Sequence, residues 1–477
     1  MHASFIPCAT MPTSPLPTKS RRVAVIGAGA AGLVAARELR REGHAVVVFE
    51  RGNQVGGTWV YTPQVEPDLL GLDPTRPIVV SSLYSSLRTN LPRECMGFRD
   101  YPFIPRQDEE RDPRRFPGHR EVLMYLKDFA TEFGIEEMVS FETEVVKVGM
   151  AGNGKWKVRS KRSSDKINVG FDDEIYDAVV VCNGHYTEPR IAHIPGINLW
   201  PGKQLHSHNY RVPDPFRDQV VILIGSAASA VDISRDIAGV AKEVHVASRS
   251  VADETYMKQP GYDNMWCHSM IECVCEDGTV IFQNGKGILA DVIMHCTGYK
   301  YHFPFLETNG TVSVDDNCVD PLYKHTFPPT LAPWLSFIGI PWKIIPFPVF
   351  ELQSKWVAGI LSGRIMLPSQ EEMMEDVKAF YLTTGASGIP KRYTHFMYDS
   401  QFEYCNWLAA QCGCSGYEKW REQMDRACSE NKRVRPETYR DEWDDHDLVL
   451  QTHKEFTKYT STTVNDKCRS ESFTVQR

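Results

Sequence analysis

At 477 residues, 42% hydrophobic and 24% charged, the chain is long enough for two or three domains around a sizeable core. The formal net charge is −8 and lysines and arginines are scattered, which argues against nucleic acid as a partner and for a small-molecule substrate. The 13 cysteines stand singly or in the close pairs Cys273/Cys275 and Cys412/Cys414; they lack the CxxC spacing of zinc or redox sites, so no metal site is expected and the pattern fits reduced cytoplasmic thiols.

Residues 1–20 are rich in Ser, Thr and Pro, contain no acid and lack a secretory apolar run, and read as a disordered leader; an organelle transit peptide is the alternative. The most apolar stretch, Leu331 to Phe350, is interrupted by prolines and Lys343, so no membrane span is expected. Val23–Ile26, a helical pattern Leu33–Arg41 and Ala45–Phe49 form one β-α-β unit. Lys155–Arg159 and Glu174–Val181 read as strands joined by a turn region at Asn168–Asp173. A second β-α-β unit follows: Val220–Ile224, a helix near Ala230–Ala238, and Glu243–Ala247. Asn183-Gly184 and Thr297-Gly298-Tyr299 each end an apolar strand and suggest chain crossings between domains, with hinges at Pro195–Pro201 and Gly298–Pro304. Aromatic residues at helical intervals over 370–450 predict helices packed on the larger domain.

The first unit carries Gly27-Ala28-Gly29-Ala30-Ala31-Gly32 between strand and helix. Gly27 permits the tight turn, Gly29 lets backbone amides approach a pyrophosphate, and Gly32 lets helix and strand pack closely. Glu50, with Arg51 behind it, ends the second strand where a carboxylate can accept from ribose hydroxyls, which favours a cofactor without a 2′-phosphate, FAD or NAD. The glycine loop Gly56-Gly57-Thr58-Trp59 just beyond can lie along a diphosphate and flavin, which selects FAD.

The second turn, Gly225-Ser226-Ala227-Ala228-Ser229-Ala230, keeps only its first glycine. Ala227 adds a methyl where the backbone must approach phosphate, so the turn sits further out or binds more weakly. Its second strand ends in Ser248-Arg249, a hydroxyl and a guanidinium suited to a 2′-phosphate, which selects NADPH. Asp232, on the helix between, is counted with this site. The fold class is therefore α/β, a flavoprotein with two dinucleotide-binding domains. The FAD domain spans residues 21–198 and 300–450, the smaller NADPH domain is inserted at 199–299, and residues 451–477 form a flexible tail.

Trp200-Pro201-Gly202, His206 and Tyr210 give the spacing aromatic-x-Gly-x3-His-x3-Tyr, which resembles the identifying motif of flavin-containing monooxygenases, with Trp200 for the usual Phe. Thr89-Asn90-Leu91-Pro92 is similar to the family's Thr-Asn-x-Pro segment, and Leu322–Pro329 with Phe350–Trp356 looks most like the plant branch of thioether and glucosinolate S-oxygenases. The resemblance covers residues 20 to about 450. It implies that Asn90 lies near the flavin C4a, that His206 helps the domains meet around the nicotinamide, with Tyr210 beside it, and that Gln353 reaches the flavin from an amphipathic helix. It also implies that a C4a-hydroperoxyflavin, formed with NADPH and O2, oxygenates a soft nucleophile such as thioether sulfur.

The residues agree in part. One FAD site and one NADPH site imply hydride transfer, and the missing cysteine pair excludes a disulfide reductase, leaving dioxygen as the common acceptor. The rivals are a Baeyer–Villiger or auxin-forming monooxygenase and, in another class, a degenerate nucleotide-binding regulatory flavoprotein suggested by Ala227.

Overall fold

The structure is a computed structural model that describes residues 19–106, 109–162, 170–249, 252 and 255–471, with side chains described to residue 459. The expected leader lies outside the described residues except at its last two positions.

Two parallel sheets organise the chain. The first has the order Leu335–Phe337, Ala178–Val181, Arg22–Ile26, Ala45–Phe49, Val139–Ser140, with every neighbouring pair parallel. Its central strands are Val-rich and buried on both faces, as a sheet covered on both sides requires. The second has the order Tyr256–Lys258, Met265–His268, Glu243–Ala247, Val220–Ile224, Val292–His295, Lys203–His206, parallel except at the Tyr256–Lys258 edge. Each glycine turn leads into one helix, Ala30–Arg41 in the first unit and Ala228–Ala238 in the second.

The expected strand Glu174–Val181 is two strands. Phe171–Tyr176 pairs antiparallel with Trp156–Arg162 in a separate four-stranded sheet, and Ala178–Val181 joins the parallel sheet. Asp177 makes the break: its carboxylate accepts from the backbone N–H of Arg22 at 2.8 Å, fixing where the chain changes sheets. Phe171–Asp173, expected in a turn, therefore lie in the first of these strands, and the rest of that turn lies outside the described residues apart from Gly170.

The crossings between units lie side by side, Glu188–Pro189 antiparallel to Tyr299–Lys300. Ile194 and Trp200, at the expected hinge Pro195–Pro201, pack in one cluster with Ile222 of the second sheet and with Val280.

The helix Pro346–Ser362 packs against Ala30–Arg41 and is buried almost all round, where the sequence suggested an amphipathic helix at Phe350–Trp356. Helices Gln370–Ala386, Ser400–Cys412 and Lys419–Val434 follow, as the aromatic spacing predicts. The helix His446–Glu471 takes up most of the expected tail because Thr452 and Phe456, one turn apart, bury one stripe, Phe456 against Trp420. Residues 472–477 of that tail lie outside the described residues. Among the described residues no helix is long and apolar enough to cross a membrane.

Candidate cofactor and active site

The two glycine turns are built alike. Gly27 (φ 103°) donates its N–H to Phe49 O at 2.8 Å, and Gly225 (φ 127°) donates to Ala247 O at 2.8 Å. A Cβ on either would stand 2.7 Å from Cys182 O or 2.5 Å from Cys296 O, so both positions exclude side chains by conformation and by space. Cys182 and Cys296, both buried, directly follow the strands Ala178–Val181 and Val292–His295. Gly32 differs from its counterpart: a Cβ there would lie 1.8 Å from Gly27 O, whereas Ala230 is accommodated, fully buried.

A cleft of about 500 Å³ opens at the first turn. Gly27, Gly29, Ala30, Ala31, Glu50, Arg51, Gly57, Thr58 and Trp59 line it, so the residues expected for FAD from the first turn and glycine loop converge, with Ala28 and Gly32 packed behind them. Glu50 Oε2 accepts from Ala28 N (2.8 Å) and Oε1 from Gly52 N (2.7 Å); Arg51 donates to Ile78 O. No side chain caps the helix at Gly29, and the first intrahelical bond is Leu33 N to Gly29 O, so the opening turn keeps donors facing an apolar, concave space. That donor set fits a pyrophosphate at a helix N-terminus. Of the opposite wall, Trp342, Lys343, Ile344, Phe347 and Phe350, the sequence marked only Lys343, as a break in an apolar stretch, and Phe350, as the start of the Phe350–Trp356 segment. Its placement depends on long-range contacts: Trp342 N donates to His395 O and Ile345 N to Gln401 Oε1.

The second turn has the same backbone shape as the first. Ala227 caps its helix at φ −84°, ψ −177°, nearly the Gly29 values of −75° and −175°, so the substitution leaves the backbone unchanged and adds only a methyl. Ser226, Ala227 and Ala228 are exposed and no side chain caps Ala227. Ser248 N donates to His268 O; Arg249 is exposed at the strand end, near enough to Arg190 that its charge, after burial, helps lower the Arg190 pKa. The exposed Arg249 guanidinium at the strand end is of the kind that suits a phosphate.

Other expected site residues lie elsewhere. Gln353 is fully buried and does not line the cleft: its oxygen accepts from Gly339 N and its nitrogen donates to Thr326 Oγ1 and Tyr404 OH, so it braces the wall at Gly339 from behind. Asp232 faces protein partners, Arg440 and Tyr84. Thr89, Asn90 and Leu91 form a turn beside the second unit rather than on the cleft surface; Thr89 Oγ1 donates to Leu91 O and Asn90 is exposed.

The Trp200 motif is structural in its detail. The Trp200 indole donates to Gly278 O, and its ring lies where a Cβ on Gly202 would come within 2.2 Å, which explains that spacing. His206 is wholly buried: Nδ1 accepts from His208 N, so the proton sits on Nε2 and is donated to Gly298 O at 3.0 Å, tying the motif to the second crossing. Burial, with His208 nearby, pushes its pKa down to about 3. Tyr210 donates to Asp236 at 2.6 Å, and burial followed by that carboxylate raises its pKa well above the usual phenol range. These shifts favour neutral imidazole at His206 and protonated phenol at Tyr210 near neutral pH.

Fold and site together define a flavoprotein with two dinucleotide sites. The sequence matches the flavin-binding monooxygenase-like family over residues 20–258 and 263–409, and the chain belongs to it. It is 68% identical over 449 residues to flavin-containing monooxygenase FMO GS-OX-like 4 of Arabidopsis thaliana, covering 93% of this chain and 99% of that one; it is 64% identical over 439 residues to FMO GS-OX5 of the same plant, covering 92% and 95%. Its structure resembles the S-allyl-L-cysteine S-oxygenase of Allium sativum with a TM-score of 0.90 and 62% identity, over 93% of this chain and 100% of that one. Tmm from Pelagibacter sp. strain HTCC7211 matches with 0.73 and 27%, over 88% and 93%. The protein is a flavin-containing monooxygenase, an oxidoreductase, and the family's cofactors, FAD and NADPH, are the two dinucleotides the strand ends Glu50 and Arg249 predict.

Proposed function

We propose that the chain is an NADPH- and O2-dependent S-oxygenase that converts a small thioether to its sulfoxide. The observation that carries this reading is the match to the garlic S-oxygenase, 62% identical over 93% of this chain. The balance is NADPH, H⁺, O2 and thioether to NADP⁺, water and sulfoxide. Flavin, when bound, would supply the activation of dioxygen, one atom of which ends on the thioether sulfur and the other in water. The chain's own residues bind and exclude water. The turn Gly27–Gly32 and Glu50 hold FAD, and Gly225–Ala230, Ser248 and Arg249 hold NADPH. The wall from Trp342 to Phe350 keeps the flavin edge dry. Asn90, exposed and off the cleft lining, is assigned on the family resemblance alone to donate an amide hydrogen bond to the reacting edge, without protonating it, once both cofactors are bound. Substrate and dioxygen are the partners, and the compartment we assign is the cytoplasm.

The shared Gly29 and Ala227 geometry favours a working NADPH turn over a degenerate regulatory flavoprotein. The test is NADPH consumption with a panel of thioethers and keto acids, sulfoxide measured by mass spectrometry. One sulfoxide per NADPH with thioethers supports the reading. Turnover confined to ketones or keto acids overturns it in favour of a Baeyer–Villiger or auxin-forming enzyme; FAD absorbance without NADPH-dependent bleaching overturns it in favour of the regulatory flavoprotein.

A further inference from the structure

Residues 436–445 form a strap across the boundary between the two units. On the flavin side, Asp441 pairs with Arg88 (2.8 Å), Asp445 with Arg115 (2.6 Å), and Tyr439 packs edge-on against Phe116. On the nucleotide side, Glu437 accepts from Arg235 (2.7 Å) and from Tyr262 OH (2.9 Å).

Arg440 touches both sides at once. Its Nη1 and Nη2 fork onto the Asp232 carboxylate at 3.1 and 2.6 Å, on the helix that opens at Ala227, while its Nε donates to Thr89 O at 3.0 Å. Asp232 also accepts from Tyr84 OH, and Asp236, one turn along, accepts from Ser86 and Tyr210. The segment from Tyr84 to Thr89 is thus laid along the nucleotide-side helix, and Arg440 closes the end that carries Asn90. The Arg440 and Asp232 side chains are only 16% and 15% exposed, so the fork is a shielded, directional contact rather than a surface ion pair.

We propose that Arg440 is a positioning residue that couples nucleotide binding at Gly225–Ala230 to the placement of Asn90. A phosphate held at the helix N-terminus biases that helix and its Asp232, and the same guanidinium passes the bias to the Thr89 carbonyl one residue before Asn90. Such a coupling is reciprocal and is carried by a physical contact that both sites share. The inference rests on the assignment of Asn90 made above.

The experiment is hydrogen exchange on the FAD-loaded protein with and without NADP⁺, alongside the yield of hydrogen peroxide per NADPH. In the unmodified protein, NADP⁺ should raise protection both in the helix 228–238 and in 84–91. In Arg440→Gln the helix should still respond while 84–91 does not, and the share of NADPH ending as hydrogen peroxide (NADPH, H⁺ and O2 to NADP⁺ and H2O2) should rise several-fold. Glu437→Gln, which loosens the strap without touching Thr89, should retain both responses. If Arg440→Gln does not hold FAD, Arg440→Lys serves, because an ammonium lacks the rigid planar group whose Nη atoms fork onto Asp232 while its Nε holds Thr89 O; it should show a loss in the same direction. An unchanged response of 84–91 in the Arg440 variants overturns the proposal, as does an equal loss in Glu437→Gln. Failure of the S-oxygenase reading is separate: the unmodified protein would make no sulfoxide, while the exchange comparison would still report on Arg440.

Discussion

The Glu50 carboxylate reaches back across the glycine turn to the backbone N–H of Ala28, 2.8 Å away, while its other oxygen holds Gly52. The residue read from sequence as a ribose acceptor therefore also fixes the loop that cradles the phosphates. Glu50→Gln should damage both functions, because the amide must present N–H to one of two backbone donors, Ala28 N buried and Gly52 N half-buried. An unmatched buried donor costs about 1–3 kcal/mol, so the FAD dissociation constant should rise roughly 10- to 100-fold. Fluorescence titration of the apoprotein measures this; unchanged affinity would remove Glu50 from the site.

Ala227 holds the backbone conformation that Gly29 holds in the first turn. Its methyl is then the one chemical difference from Gly29 at this position, and glycine is at least as good an N-cap as alanine. Ala227→Gly should lower the KM for NADPH roughly threefold, about 0.6 kcal/mol, with FAD content unchanged. An equal or higher KM would show that the ligand keeps clear of the turn.

Both β-α-β units were legible because each is local: Gly27, Glu50, Gly225 and Arg249 stand within one strand-helix-strand stretch, where periodicity and turn chemistry suffice. The Asn183-Gly184 and Thr297-Gly298 turns lead into paired segments, Glu188–Pro189 and Tyr299–Lys300, while Ile194 and Trp200 find apolar partners in the second sheet that no local signal names. What sequence did not supply depends on distant partners. Gln353 looked able to reach flavin from its helix, but Gly339, Thr326 and Tyr404 satisfy its amide. Asp232 looked like a nucleotide contact until Arg440, 208 residues on, took its carboxylate. A polar run such as 436–445 offers no periodicity from which such a strap could be read.

Several buried histidines must be neutral in the folded protein. Burial, the largest cause in each, pushes His206 and His268 down to about 3 and His295 and His325 to about 4, from a usual 6.5. Below pH 6.5 the unfolded chain takes up protons that the folded chain refuses, so this stability is complete above that pH and is lost as pH falls toward the folded values. Each full proton of difference contributes a slope of about 1.4 kcal/mol per pH unit. The urea midpoint should be flat from pH 8 to 7 and fall steadily from 6.5 to 5; a midpoint that holds to pH 5 would contradict the buried neutral state.

Tyr210 separates a positioning role from an acid–base role. Its hydroxyl donates to Asp236 at 2.6 Å, beside Ser86 on the same carboxylate, and its ring meets Tyr84 at 5.6 Å. With its pKa raised by burial and by Asp236, the phenol keeps its proton throughout the working range. Tyr210→Phe preserves the ring packing and leaves Asp236 the Ser86 donor, so the loss should be about 1–3 kcal/mol of stability. It should reduce the rate of anaerobic flavin reduction by NADPH less than about tenfold and leave the shape of its pH profile intact, because no transferred proton is removed. Loss of one limb of that profile would instead make the phenol a proton donor in the reaction, and would require the bond to Asp236 to break during turnover.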